Sequence, residues 1–231
     1  MDSILVTGAN RGLGLEWCRQ YALAGWRVYA TCRHPETADD LRALANRHDR
    51  LSLHRLDVTD AESVYALRAE LKEAPIDVLV NNAGVYLEKY APDAAIRYDE
   101  WLQTLAVNTL GAVRVSEALA HNVARSRRRL VLAISSHMGS IADISAPGSY
   151  YYRSSKAALN AAMKGLALAY RPLGIGVLIL HPGWVKTRMG GFNEAPLTPE
   201  VSVAGMRRLV EAYTPEMSGR FYRYDGRELP W

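Results

Sequence analysis

Cysteine is scarce: Cys18 and Cys32 are the only two in 231 residues. Two thiols cannot build a disulfide framework. They are expected to be reduced, with Cys32 a small buried residue beside a strand end rather than a redox centre. Long apolar runs are missing as well. No stretch approaches the ~18 residues that a membrane helix needs, and Met1-Asp2-Ser3 leads into a strand rather than a secretory leader. A cytoplasmic protein without a membrane partner is the expectation. Repeats, low-complexity tracts and linkers are also lacking, which leaves a single domain over residues 1–231. Lys and Arg outnumber Asp and Glu by 28 to 24, a weak excess for a nucleic-acid binder. The densest basic run, Arg125-Ser126-Arg127-Arg128-Arg129, carries no interleaved aromatics and no nucleic-acid motif. It suits a solvated helix end, where cations complement the dipole, so no nucleic-acid partner is expected.

What is present is alternation. Apolar strand-like runs fall at Ile4–Thr7, Arg27–Thr31, Leu51–Leu56, Val78–Val80, Leu130–Ser135, Gly176–Leu180 and Gly219–Tyr224. Helical patterns lie between them, at Leu13–Ala24, Ala38–Arg47, Ala61–Glu73, Tyr98–Arg125, Tyr152–Arg171 and Pro199–Tyr213. Strand–helix alternation predicts an α/β doubly wound Rossmann fold, with a seven-stranded, mostly parallel sheet and helices on both faces. Ligands in such sheets sit beyond the carboxyl ends of the strands, where strand order reverses. The stretch Pro182–Pro199 reads as one long functional loop.

Two local patterns carry chemistry. After the first strand comes Thr7-Gly8-Ala9-Asn10-Arg11-Gly12-Leu13-Gly14, then a helix. A glycine-rich turn there lets backbone N–H groups approach a pyrophosphate at the helix N-terminus. Glycines also serve ordinary turns, so position on the first strand–helix junction is what gives this motif weight. The second pattern is Tyr152-Arg153-Ser154-Ser155-Lys156. Spacing of four puts Tyr152 and Lys156 on one helix face. A phenol titrates at about 10, and a nearby ammonium or cationic ring lowers that toward the working range. Ser136 can hold a carbonyl oxygen while Tyr152 donates the proton, and Asn108 lies on an earlier helix that could carry it to the same place. This set suits carbonyl–alcohol interconversion and requires a separate hydride carrier.

With both patterns in place, the chain resembles the short-chain dehydrogenase/reductase superfamily over its whole length. The resemblance rests on Thr7–Gly14, Asp57-Val58, Asn81-Asn82-Ala83-Gly84, Asn108, Ser135–Gly139, Tyr152 with Lys156, and Pro182–Thr187, all in family order. The ending Tyr224–Trp231 is similar to that of the C-factor and sniffer-type carbonyl reductase group. The resemblance implies Tyr152 as general acid, Lys156 on the nicotinamide ribose, Ser136 on the substrate oxygen and Asn108 on a relay water. It implies a cofactor site of Gly8, Asn10, Arg11, Gly12, Leu13 and Gly14, with Asp57 and Val58 at the adenine. Asn82, Ala83 and Gly84 would border the ribose, and Pro182, Gly183, Val185 and Thr187 would close over the nicotinamide and its phosphate.

Several residues admit duller roles. Tyr150 and Tyr151 are pocket wall or packing, His137 is pocket lining, and Asn108 can merely cap a kink. Ser135 competes with Ser136, which the family pattern favours. The long Ser136–Tyr152 gap implies a loop insertion around Ala142–Ser149. Cofactor choice turns on the end of the second strand, Ala30-Thr31-Cys32-Arg33-His34. An acid there would accept from a ribose 2′-OH and repel a 2′-phosphate, and none is present. Arg33 follows instead, and Arg11 faces the same region in family members. Guanidinium groups bind phosphate bidentately, so NADP(H) is expected. Pocket walls are expected at Val85–Lys89, His137, Met138, Ser145–Tyr151, Trp184 and Arg188–Pro196, around an apolar carbonyl or alcohol. The rival is a nucleotide-binding signalling protein with incidental turnover. Small residues along Ala157–Ala169, together with the resemblance, suggest a homodimer or a homotetramer of dimers.

Overall fold

A computed structural model of the chain describes residues 1–88, 95–191 and 194–231. Its strands are β1 (Ser3–Thr7), β2 (Arg27–Cys32), β3 (Leu51–Arg55), β4 (Val78–Asn81), β5 (Leu130–Ile134), β6 (Gly176–His181) and β7 (Arg220–Arg223). They form one sheet in the order β3-β2-β1-β4-β5-β6-β7. All six pairings are parallel, where the sequence allowed for an exception. A parallel sheet covered on both faces needs apolar residues at every strand position. Thus Ile4, Val6, Val78, Val80, Leu130 and Leu132 build the core on one face. Leu5, Leu79, Val131 and Ala133 build it on the other.

The first face carries α1 (Gly12–Leu23), α2 (Asp39–Ala45) and α8 (Pro199–Glu211), whose Trp17, Leu41 and Met206 are fully buried. The second carries α3 (Ala61–Leu71), α5 (Gly111–Ala118) and α7 (Tyr150–Tyr170) through Leu67, Val115 and Met163. Cys18 and Cys32 are buried free thiols, as the sequence suggested.

The pattern read as one helix over Tyr98–Arg125 is four segments. These are α4 (Tyr98–Leu105), a π-helical turn at Ala106–Leu110, α5, and α6 (Ala120–Ala124). A π-turn inserts one extra residue and often marks a functional position; here it carries Asn108. The basic run after α6 is surface charge: Arg127 and Arg128 pair with Asp2, and Arg125 with Glu73. α3 stops two residues short of the expected end, because Lys72 takes a positive φ (51°) that a helix does not accommodate. Sheet order reverses between β1 and β4, so the crevice beyond their carboxyl ends lies between Thr7 and Asn81.

Candidate active site

The floor of the crevice is made by the β1–α1 turn. Gly8 adopts φ +66°, and a Cβ there would lie 2.9 Å from Ala83 Cα. At Gly14 a Cβ would lie 2.2 Å from Gly8 O and 2.6 Å from Asn82 Nδ2. Both positions therefore require glycine, and the bare backbone brings the two strand ends into contact. Thr7 locks them further: its hydroxyl accepts from the Asn82 and Ala83 backbone N–H groups, both at 3.0 Å. The Asn82 amide in turn donates to the Thr7 and Gly8 carbonyls at 2.9 and 3.2 Å.

α1 starts at Gly12 with no side-chain cap and no acid in its first turn. Such a start leaves backbone donors and the positive dipole end for an anion. Asn10 and Leu13 are half-buried in this turn and Arg11 is exposed at its rim. Arg33 is exposed after β2, and its charge helps to depress the Asp57 carboxyl. Burial opposes that depression, but hydrogen bonds from Thr59 together with Arg33 and Arg114 outweigh it. Arg33 and Asp57 thus share one rim. Val58 is buried behind it, its carbonyl accepting from Arg114 at 2.7 Å. From the far side, Thr187 reaches the turn, with its Cγ2 3.5 Å from where a Gly12 Cβ would sit. Pro182, Gly183 and Val185 carry the chain there from β6, and Val185 pairs with Leu197 across the loop.

The second cluster forms where β4, β5, α7 and the π-turn meet. Lys156 is buried, and its Nζ donates to the Ile134 carbonyl at 2.8 Å. A Cβ at Gly84 would lie 3.3 Å from Asn108 Oδ1 and 3.8 Å from Lys156 Nζ, which places all three together. Asn108 is more than a kink cap. Its Oδ1 accepts from Val85 N–H at 2.8 Å, and its Nδ2 donates to the Val85 carbonyl and the Ser155 hydroxyl, both at 2.9 Å. Ser136 is buried at the end of β5 and starts a 3₁₀ turn, its hydroxyl accepting from Met138 N–H. The competing Ser135 is taken up elsewhere, donating to Asn160 Oδ1 at 2.6 Å.

The electrostatics differ from the sequence expectation in one respect. The Tyr152 phenol is not lowered in the protein alone: burial pushes it up to about 12, against a lowering by Ser136, with Tyr86 adding to the rise. Burial also lowers Lys156, to about 8. The lysine Nζ sits 5.7 Å from the centre of the Tyr152 ring, turned to a backbone carbonyl. In a dry site both groups favour their neutral forms. With Lys156 turned to the Ile134 carbonyl, the expected lowering of the phenol is not present in this arrangement.

Tyr150 is exposed and Tyr151 is buried, stacked on Trp101. His137 is exposed on the 3₁₀ turn and packs edge-on against buried His181 at 4.8 Å. The Ala142–Ser149 stretch is an irregular, exposed loop. Of the expected walls, Lys89 and residues 192–193 lie outside the described residues. Tyr86, within the expected wall Val85–Lys89, packs its ring 4.8 Å from that of Tyr152. Ser155, inside the Tyr152–Lys156 pattern, accepts from Asn108, whereas Asn160, the partner of Ser135, had no motif to reveal it.

The short chain dehydrogenase family model matches residues 2–196. Among curated proteins, C-signal of Myxococcus xanthus is 42% identical over 68% of this chain and 93% of its own length. Among solved structures, the carbonyl reductase Sniffer of D. melanogaster superposes with a TM-score of 0.92 at 35% identity, covering both chains fully. NADPH-bound carbonyl reductase from chicken fatty liver gives 0.91 at 34% identity, covering 100% of this chain and 99% of its own. The chain belongs to the short-chain dehydrogenase/reductase superfamily, in its C-factor and sniffer-type group.

Proposed function

We propose that this protein is an NADPH-dependent reductase of an apolar ketone or aldehyde, with the reverse alcohol oxidation as its microscopic counterpart. The observation that carries it most is the meeting of Ser136, Tyr152, Lys156 and Asn108 at the end of a glycine cradle that no side chain caps. NADPH fits that cradle: Gly8 and Gly14 leave backbone room for a pyrophosphate, and Arg11 and Arg33 offer guanidinium groups where a 2′-phosphate would lie. When bound, it supplies the hydride.

The chain's own residues do the rest. Ser136 holds the substrate oxygen, and Tyr152 gives it a proton as hydride arrives at carbon. Lys156 turns from the Ile134 carbonyl toward the ribose hydroxyls, and its charge then offsets the burial that keeps the phenol high. Asn108 fixes the Val85 backbone beside Lys156 and would hold a water in a proton relay leading from Lys156 toward solvent. Asp57, Val58, Asn82, Ala83 and Gly84 border adenine and ribose, and Pro182 to Thr187 close the opposite side. Exposed Trp184 and Met189, among the expected wall residues, support an apolar substrate.

The similarity to C-signal supports a second role, in which cofactor binding serves signalling and turnover is incidental. NADPH oxidation against a panel of aliphatic and aromatic carbonyls separates the two. Turnover with at least one class supports the reductase, and tight NADPH binding without any turnover supports signalling. We further propose a single-domain cytoplasmic homodimer, pairing through α7 and the α4–α5 helices, or a tetramer of such dimers. Small residues on α7 and exposed Leu102, Leu110 and Leu168 support that choice of face. A sedimentation run giving only the 25.6 kDa monomer would exclude it.

A further inference from the structure

α7 begins without a cap of its own. Ser149 stands in the cap position at φ +54°, yet its hydroxyl accepts no N–H from the first turn, and that turn holds no acid. The hydroxyl is committed elsewhere, hydrogen-bonded with Tyr86 OH at 2.8 Å. The first two amides of the helix donate instead to Glu88. Tyr150 N–H meets Oε1 at 2.9 Å and Tyr151 N–H meets Oε2 at 3.0 Å. A carboxylate so placed satisfies two orphan donors and opposes the positive helix end. It comes from the segment that follows the Asn82-Ala83-Gly84 turn. The other end of that segment, Val85, is held at both backbone groups by Asn108. Between these anchors, Tyr86 lays its ring on Tyr152 at 4.8 Å and 40°.

We propose that Glu88 is the positioning residue for Tyr152. Its carboxylate caps α7 from outside the helix and fixes the two residues ahead of the proton donor. The phenol is thereby presented to Ser136 in one register, with Tyr86 closing its other side. This role rests on the assignment of Tyr152 as proton donor. A helix of 21 residues packed on the sheet does not need the cap to exist. What the cap governs is the first turn, where Tyr152 sits.

The test uses the full chain loaded with NADPH. Glu88→Ala should lower kcat about tenfold or more, the scale of a sub-ångström to 1 Å misplacement, while the Kd for NADPH stays within about twofold. Glu88→Gln keeps one acceptor oxygen and should recover part of the lost kcat. Wild-type kcat in Glu88→Ala, or loss of kcat only in parallel with NADPH affinity, would overturn the role. A second readout does not depend on turnover: amide hydrogen exchange at Tyr150 and Tyr151. Glu88→Ala should speed it about tenfold, as a lost cap opens the first turn, and unchanged protection would overturn the proposal even if no carbonyl were reduced. Absence of turnover in the wild type, with exchange accelerated in the variant, would instead fault the reductase function and leave the cap standing.

Discussion

At the β1–α1 turn the protein is bare: Gly8 and Gly14 expose backbone, and Arg11 and Arg33 stand in solvent. At the start of α7 the opposite holds, with an ammonium and a phenol enclosed and their pKa values driven to about 8 and about 12. The first region is specified by steric room. A glycine either fits or it does not, and the surrounding charges are well hydrated. The second is specified by electrostatic tension, because burial disfavours the very ion that the chemistry uses. One region should therefore fail abruptly on a single added carbon. The other should gain stability when its function is removed.

The sharpest break of the first region is Gly14→Ala. Its Cβ would meet the Gly8 carbonyl oxygen at 2.2 Å, a backbone atom with no room to yield. We expect NADPH affinity to fall on the order of 100-fold or more, about 3 kcal/mol, read by fluorescence titration. Affinity within tenfold of wild type would show that the turn is more plastic than its contacts indicate.

Lys156→Met probes the second region and should split activity from stability. Turnover should fall about 100-fold, the scale of an acid–base group. Meanwhile the protein without cofactor should become more stable by about 1–3 kcal/mol, since a buried charge is removed. The pH dependence follows from the sign of the shift. The folded value of about 8 lies below the usual 10.5. The penalty is thus full below pH 8, shrinks between 8 and 10.5, and vanishes above. The stability advantage of Lys156→Met should fade across that window; an advantage that does not change with pH would show that packing, not charge, is responsible.

The smallest effect is expected at the rim. Arg33→Asp replaces a phosphate partner by a 2′-OH acceptor. It should shift the NADPH:NADH ratio of kcat/KM about tenfold toward NADH, as one exposed charge-assisted contact allows. A wild type that already prefers NADH would overturn the assignment of both arginines.

Legibility in the sequence followed the same division. Strand runs such as Leu130–Ile134 and Val177–Leu180 are buried on both faces, so their apolar composition alone placed them. The glycine turn was readable because steric demand acts on one residue at a time. Tyr152 and Lys156 were readable because helix spacing puts them on one face. The π-turn at Ala106–Leu110 was not, since it depends on Asn108 meeting Val85 and Ser155, partners distant in sequence. Neither was the true start of α7 at Tyr150, two residues earlier than the pattern, because its cap is Glu88 and not a neighbour. The direction of the Tyr152 shift was missed for a related reason. Spacing shows that a lysine is near, but not that its Nζ donates to Ile134 or that burial outweighs it.

The central assignment, Tyr152 as the proton donor of a carbonyl reductase, is tested most directly by Tyr152→Phe under saturating NADPH. The substitution removes one hydroxyl and leaves the ring against Tyr86. Single-turnover reduction should slow on the order of 100-fold or more, with the Kd for NADPH within about twofold of wild type. Reduction at the wild-type rate in that variant would contradict the assignment.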